Sequence, residues 1–168
     1  MGAGDVVLSD WSDFFVAAAG ASAALAGLII VAMSVSIDQL ITIPGMTSRG
    51  ATAIAMLMLV AVTSLVGLVP GLQALPFGLT LVAAATFGLV LAVRSTWLLV
   101  RAGATAHRYA AAIVKGVIGI LPFLAFLVGG VLLATASEGG LVLMVVGTFI
   151  SFVLAVVDAW IMLVEIRR

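Results

Sequence analysis

Charged residues cut the chain into long apolar runs. Phe14–Ile37 is 24 residues without a charge, Gly50–Val93 is 44, Gly116–Ser137 is 22 and Gly139–Val157 is 19. A membrane-spanning helix needs about 20 predominantly apolar residues. The 44-residue run is therefore long enough for two spans and a turn. Val69–Phe77 (VPGLQALPF) supplies the turn, with Pro70, Gly71 and Pro76 as breakers. The pattern predicts five helices near 11–37, 50–70, 76–99, 111–134 and 140–163. Lipid offers the backbone no hydrogen-bond partners, so each span is expected to be helical. Period-two alternation is absent, which argues against a transmembrane barrel. The predicted fold is all-α: a polytopic bundle of five transmembrane helices forming a single domain over residues 1–168.

Composition agrees. Of 168 residues, 65% are hydrophobic and 8% charged, and the mean hydropathy is +1.43. Soluble domains carry about 25% charged residues, so this chain lacks the polar side chains to cover a water-facing surface. Disorder needs the opposite composition. Seven Lys and Arg balance seven Asp and Glu. No global field is left to recruit nucleic acid. Cysteine is absent, which removes disulfides, thiolate metal sites and cysteine nucleophiles. The N-terminal stretch carries Asp5, Asp10 and Asp13 and no base. A secretory signal has a basic n-region, so the first apolar run is expected to stay as a span.

The bases fix an expected orientation. With five helices, Arg49, Arg94, Arg101, Arg108, Lys115, Arg167 and Arg168 all fall on or near one side. Asp5, Asp10, Asp13 and Glu138 occupy the other. The positive-inside rule then puts the N-terminus outside and the C-terminus in the cytoplasm. The segment 94–115 is polar enough to leave the membrane. Its lack of proline allows the third and fourth helices to continue as a short cytoplasmic hairpin. Arg101, Arg108 and Lys115 would make that surface basic, suited to anionic lipid headgroups.

Candidate chemistry is sparse. The first helix is crowded with small residues: Ala19, Ala23 and Gly27 are spaced by four, as are Gly20 and Ala24. Such faces let backbones approach closely and drive helix association in membranes. The face can serve packing within the protein, an interface between copies, or a pore wall. Ser34 and Asp38 share a helix face four residues apart. They form either a polar line attractive to cations or ordinary serine bonding to the i−4 carbonyl beside a solvated acid. Asp158 stands inside the last span, where a carboxylate is costly and is usually paired or faces a cavity. Arg94, entering from the same side, is its expected partner. That pair would fix helix register, or form a gate or proton-carrying site. Pro122 lies inside the fourth span, where it removes one backbone hydrogen bond and is expected to kink the helix, and Gly129 and Gly130 are expected to add flexibility there. His107 is the only histidine, and no acid lies near it. No nucleophile–base arrangement, metal-ligand spacing, phosphate loop or nucleic-acid motif occurs. No catalytic residue, metal or cofactor is expected.

One stretch has a distinctive pattern, WSDFFVAAAGASAALAGLIIVAMSVSIDQLITIPGMTSRGA over Trp11–Ala51. It resembles a family of small multi-span bacterial membrane proteins, common in actinobacteria. Their pattern runs F-x(4)-GAxAALxGLxFVAxSxN, then Ile-x(2–4)-Pro and an Arg-Ala-like pair. The matching residues are Gly20, Ala21, Ala23, Ala24, Leu25, Gly27, Leu28, Val31, Ala32, Ser34, Pro44 and Arg49, and Leu68–Pro70 is similar too. The chain departs at Ser36, in place of Asn, and at Gly50, between Arg49 and Ala51. Members often carry the label "modulator of FtsH protease". The resemblance implies a multi-pass protein of the bacterial plasma membrane that is a regulatory partner of a membrane-bound AAA protease. It names no catalytic residue. The expected function is a non-catalytic membrane subunit, a homo-oligomer or an accessory part of a larger membrane complex, in contact with lipids and not with nucleic acid. The alternative is an oligomeric ion or small-solute channel lined by the first helix.

Overall fold

The computed structural model describes residues 8–35, 37, 46–101, 106–137, 139–161 and 163. Within these, it describes side chains at all but 46–49, 95, 96, 98–101 and 106–115. Regular structure among the described residues is all helical. A short 3-10 turn, Leu8–Trp11, leads into α1 (Ser12–Val35). It is followed by α2 (Met46–Gly67), α3 (Ala74–Arg101), α4 (Ala106–Ala134) and α5 (Gly139–Trp160). All five are long and apolar enough to cross a membrane. The chain is a multi-pass membrane protein by this measure, with the number of spans read from the sequence.

The turns form where local chemistry demands them. Between α2 and α3 the Leu72 N–H donates to the Val69 carbonyl at 3.3 Å. Pro70 and Gly71 are the two central residues, and Gly71 has φ 73°. Proline followed by a residue at positive φ is the type II pattern. Pro76 falls in the first turn of α3, where its missing N–H costs nothing. Between α4 and α5 the chain turns without glycine. Ala136 takes φ 58°. The Ser137 N–H donates to Leu132 O at 2.9 Å and the Ala136 N–H to Leu133 O at 3.0 Å. These two bonds define a Schellman cap.

α2 and α5 stand in the middle and pack on one another. α1 lies on one flank, against α2 and α5. α3 and α4 form the tightest pair and cover the other flank, α3 against α2 and α4 against α5. Glycine sets how closely they approach. Gly78 of α3 and Gly130 of α4 each press on the other's carbonyl oxygen, and so do Gly129 of α4 and Gly140 of α5. Aromatic rings fill three further glycine sites: Phe15 over Gly67, Phe123 over Gly88 and Phe126 over Gly147. The expectation that Gly129 and Gly130 loosen α4 is thus corrected. Both are contact points, one toward each neighbour. α4 also runs unbroken through Pro122.

α3 and α4 are 28 and 29 residues long, against 22 for α2 and α5. Their apolar portions are Ala74–Arg94 and Gly116–Ala134. At 1.5 Å per residue, the 21 residues of the first measure about 31 Å, the thickness of a hydrocarbon core. Residues 95–101 and 106–115 therefore continue both helices beyond the apolar slab, as the sequence led us to expect.

Candidate functional site

Two surfaces stand out from this frame, one on the outside of α1 and one where α1, α2 and α5 meet. α1 buries Phe15, Ala18, Ser22, Ala26, Ile29 and Ala32 against its neighbours. Those positions recur every three or four residues and define its inner face. The small residues singled out from the sequence lie elsewhere. Gly20, Ala23, Ala24 and Gly27 are exposed, and Ala19 is half-buried at the boundary. A Cβ placed on Gly20 or Gly27 would meet nothing within 4 Å. Of the uses open to this face, packing within the protein is therefore excluded for these four residues. Val16, Ile30 and Val31 continue the exposed surface as larger apolar side chains, each more than half exposed. Only 28% of the α1 span is buried, the lowest share of the five.

The second surface is polar. The fully buried polar side chains among the described residues are Ser22 on α1, Thr63 and Ser64 on α2, and Thr148 and Ser151 on α5. All five lie on the three helices that pack mutually, and none on α3 or α4. Four are satisfied by their own helix. Ser22 Oγ donates to Ala19 O at 2.9 Å, Thr63 Oγ1 to Leu59 O at 2.7 Å, Thr148 Oγ1 to Met144 O at 2.9 Å and Ser151 Oγ to Gly147 O at 2.8 Å. Such back-bonding is what hydroxyls in membrane helices commonly do. Ser64 differs, because its Oγ is buried without a hydrogen-bond partner.

The remaining sequence candidates fall as follows. Ser34 is exposed on α1 and donates to Ile30 O at 2.9 Å, the back-bonded arrangement. Asp38 lies outside the described residues. Arg94 is exposed on α3 and Asp158 half-buried on α5. α3 and α5 are not one of the closely packed pairs of the bundle. Arg101 is the last residue of α3, and Arg108 and Lys115 lie in the first turns of α4, all at the end of the bundle where α1 finishes. Their side chains are outside the described set. No group of three potential metal ligands occurs among the described residues.

Thr63, Ser64, Thr148 and Ser151 were not singled out from the sequence. The readable signal was spacing: Thr148, Ser151, Ala155 and Asp158 recur at intervals of three, four and three, which places them on one face of α5. The first three are buried. At the opposite end a shallow hollow lies over the α2–α3 turn, lined by Ser9, Ser12, Gly67–Leu75 and Ala136. Compared with known proteins, the chain matches no family model, no curated protein and no solved structure.

Proposed function

We propose that the protein is a non-catalytic membrane subunit that associates with copies of itself through the outer face of α1, N-terminus outside and C-terminus cytoplasmic. One observation carries this reading: the small residues of α1 point away from the bundle. Elsewhere in the fold, glycines such as Gly78, Gly130, Gly129 and Gly140 are used for backbone-to-backbone contact. Gly20 and Gly27 offer the same opportunity with no neighbour to take it. In lipid there is no hydrophobic force between helices, so close packing of small surfaces is what drives association. Copies in one membrane share an orientation, so two α1 helices meet in parallel, each residue near its own counterpart.

The test is the mass of the protein in mild detergent. Wild type is expected as an oligomer, and Gly20→Leu and Gly27→Leu are expected to shift it toward the monomer by blocking close approach. If both variants assemble like wild type, α1 is not the interface. Ser34 lies on the same outward face, so a ring closed through α1 would carry a hydroxyl near its axis. Single-channel currents from wild-type oligomers that disappear with Gly20→Leu would favour that channel reading. The resemblance to proteins labelled as protease modulators supports a second occupant for the face, a membrane-bound AAA protease. Retention of that protease by wild type but not by Gly20→Leu would favour it.

A further inference from the structure

We propose that the α1–α2–α5 interface is a proton path that ends on Asp158, contained within a single copy of the protein. The argument starts from depth. Phe15 meets Gly67, and Gly129 meets Gly140, so these residues mark one level near the turn end of the bundle. Phe15 also packs on Phe77, next to Gly78, at a ring separation of 5.7 Å, which ties α3 to the same level. Counting inward at 1.5 Å per residue, Ser64 lies about 5 Å below that level. Ser22 follows at about 11 Å, Thr148 at about 12 Å, Ser151 at about 17 Å, Thr52 at about 23 Å and Asp158 at about 27 Å. No axial step between successive groups exceeds about 6 Å, a gap that one or two waters bridge.

The faces agree with the depths. Ser151 is seven residues before Asp158 on the same side of α5, with Ala155 between them fully buried. Thr52 is half-buried and shares a face of α2 with Met56 and Thr63, which are buried. The hydroxyls thus lie on surfaces that α1, α2 and α5 turn inward, and the α3–α4 half, cored by Phe77, Leu81, Phe123 and Leu133, supplies no buried polar side chain among those described. The path is closed in this structure, because Ser22, Ser64, Thr148 and Ser151 are fully buried and all but Ser64 donate within their own helix. A hydroxyl that donates one hydrogen bond can still accept one from water, and the buried Ser64 Oγ has no hydrogen-bond partner. Water entering between these helices would find acceptors at every step. The chemistry is a simple exchange. A hydronium gives its proton to a carboxylate oxygen of Asp158 and becomes water. The resulting carboxylic acid returns the proton to water at the other end and is again a carboxylate. The bases at this end of the helices packed on α5 are Arg49 of α2 and Lys115 of α4, and the described part of α1 carries no charge there.

The test uses the full chain in liposomes loaded with a pH-sensitive dye, with proton entry driven by a potassium diffusion potential. Wild type is expected to relax the internal pH several-fold faster than empty liposomes. Asp158→Asn is expected to return it to the empty-liposome rate, and Asp158→Glu to retain flux. Ser151→Val, which keeps the carboxylate but replaces the hydroxyl with bulk, is expected to slow flux as well. It decides the matter if Asp158→Asn fails to fold. Wild type no faster than empty liposomes overturns the proposal, as does full flux in Asp158→Asn, or in Ser151→Val should Asp158→Asn not fold. Gly20→Leu separates this path from self-assembly. Flux that survives loss of the oligomer supports a path within one copy, and flux that vanishes with the oligomer overturns it.

Discussion

Ser64 hides a hydroxyl from both water and hydrogen-bond partners. A buried polar group left unpaired costs about 1–3 kcal/mol. Ser64→Ala removes that cost and leaves only a small void. It is expected to hold or raise thermal stability, by up to about 1 kcal/mol, which a melting curve in detergent would measure. A clear loss of stability would show that the hydroxyl is engaged after all. Ala136 is strained in another way. Its φ of 58° is costly for any residue with a Cβ, by about 1–2 kcal/mol. Glycine removes the strain but loses more backbone entropy on folding. Ala136→Gly is thus expected to stabilise by about 0.5–1 kcal/mol, read from the same melting curves. That cap was not legible in the sequence, because the usual marker, glycine at this position, is missing. The α2–α3 turn was legible because Pro70 and Gly71 supply both the fixed φ and the positive one.

The rotation of each helix was the part hardest to read. In water, an amphipathic stripe reveals which face is buried. In lipid, the outer face is as apolar as the core, so α1 carries Ala and Ile on both its buried and its exposed sides. The count, the turns and the lengthened α3–α4 pair were readable from charge and breakers alone. The direction of Gly20 and Gly27 was not, nor was the service of Gly129 and Gly130 as contact points. The contrast gives a direct comparison between helices. A Cβ on Gly78 would lie 2.6 Å from the Gly130 carbonyl oxygen, which is backbone and cannot swing aside. Gly78→Ala is therefore expected to destabilise the bundle by about 1–3 kcal/mol. Gly20→Ala, with nothing within 4 Å, is expected to leave the stability of the isolated bundle unchanged. Equal melting temperatures for the two variants would contradict this account of the packing.

The molecule as a whole joins two unlike halves. α3 and α4 are fastened by glycine contacts and phenylalanine rings into an apolar pair that runs past the membrane on the basic side. α1, α2 and α5 carry all the fully buried hydroxyls among the described residues, and four of the five donate within their own helix. α1 is the least enclosed helix, and its small outward face is the surface most suited to a second copy. The measurement that tests this most directly uses the absence of native cysteine. Ala24→Cys places a thiol on the outward face, and Ala26→Cys places one on the inward face. Each variant would be oxidised in its native membrane and examined for covalent dimer. The account predicts efficient dimer formation for Ala24→Cys and little for Ala26→Cys. No dimer from either, or equal yields from both, would contradict assembly through the outer face of α1.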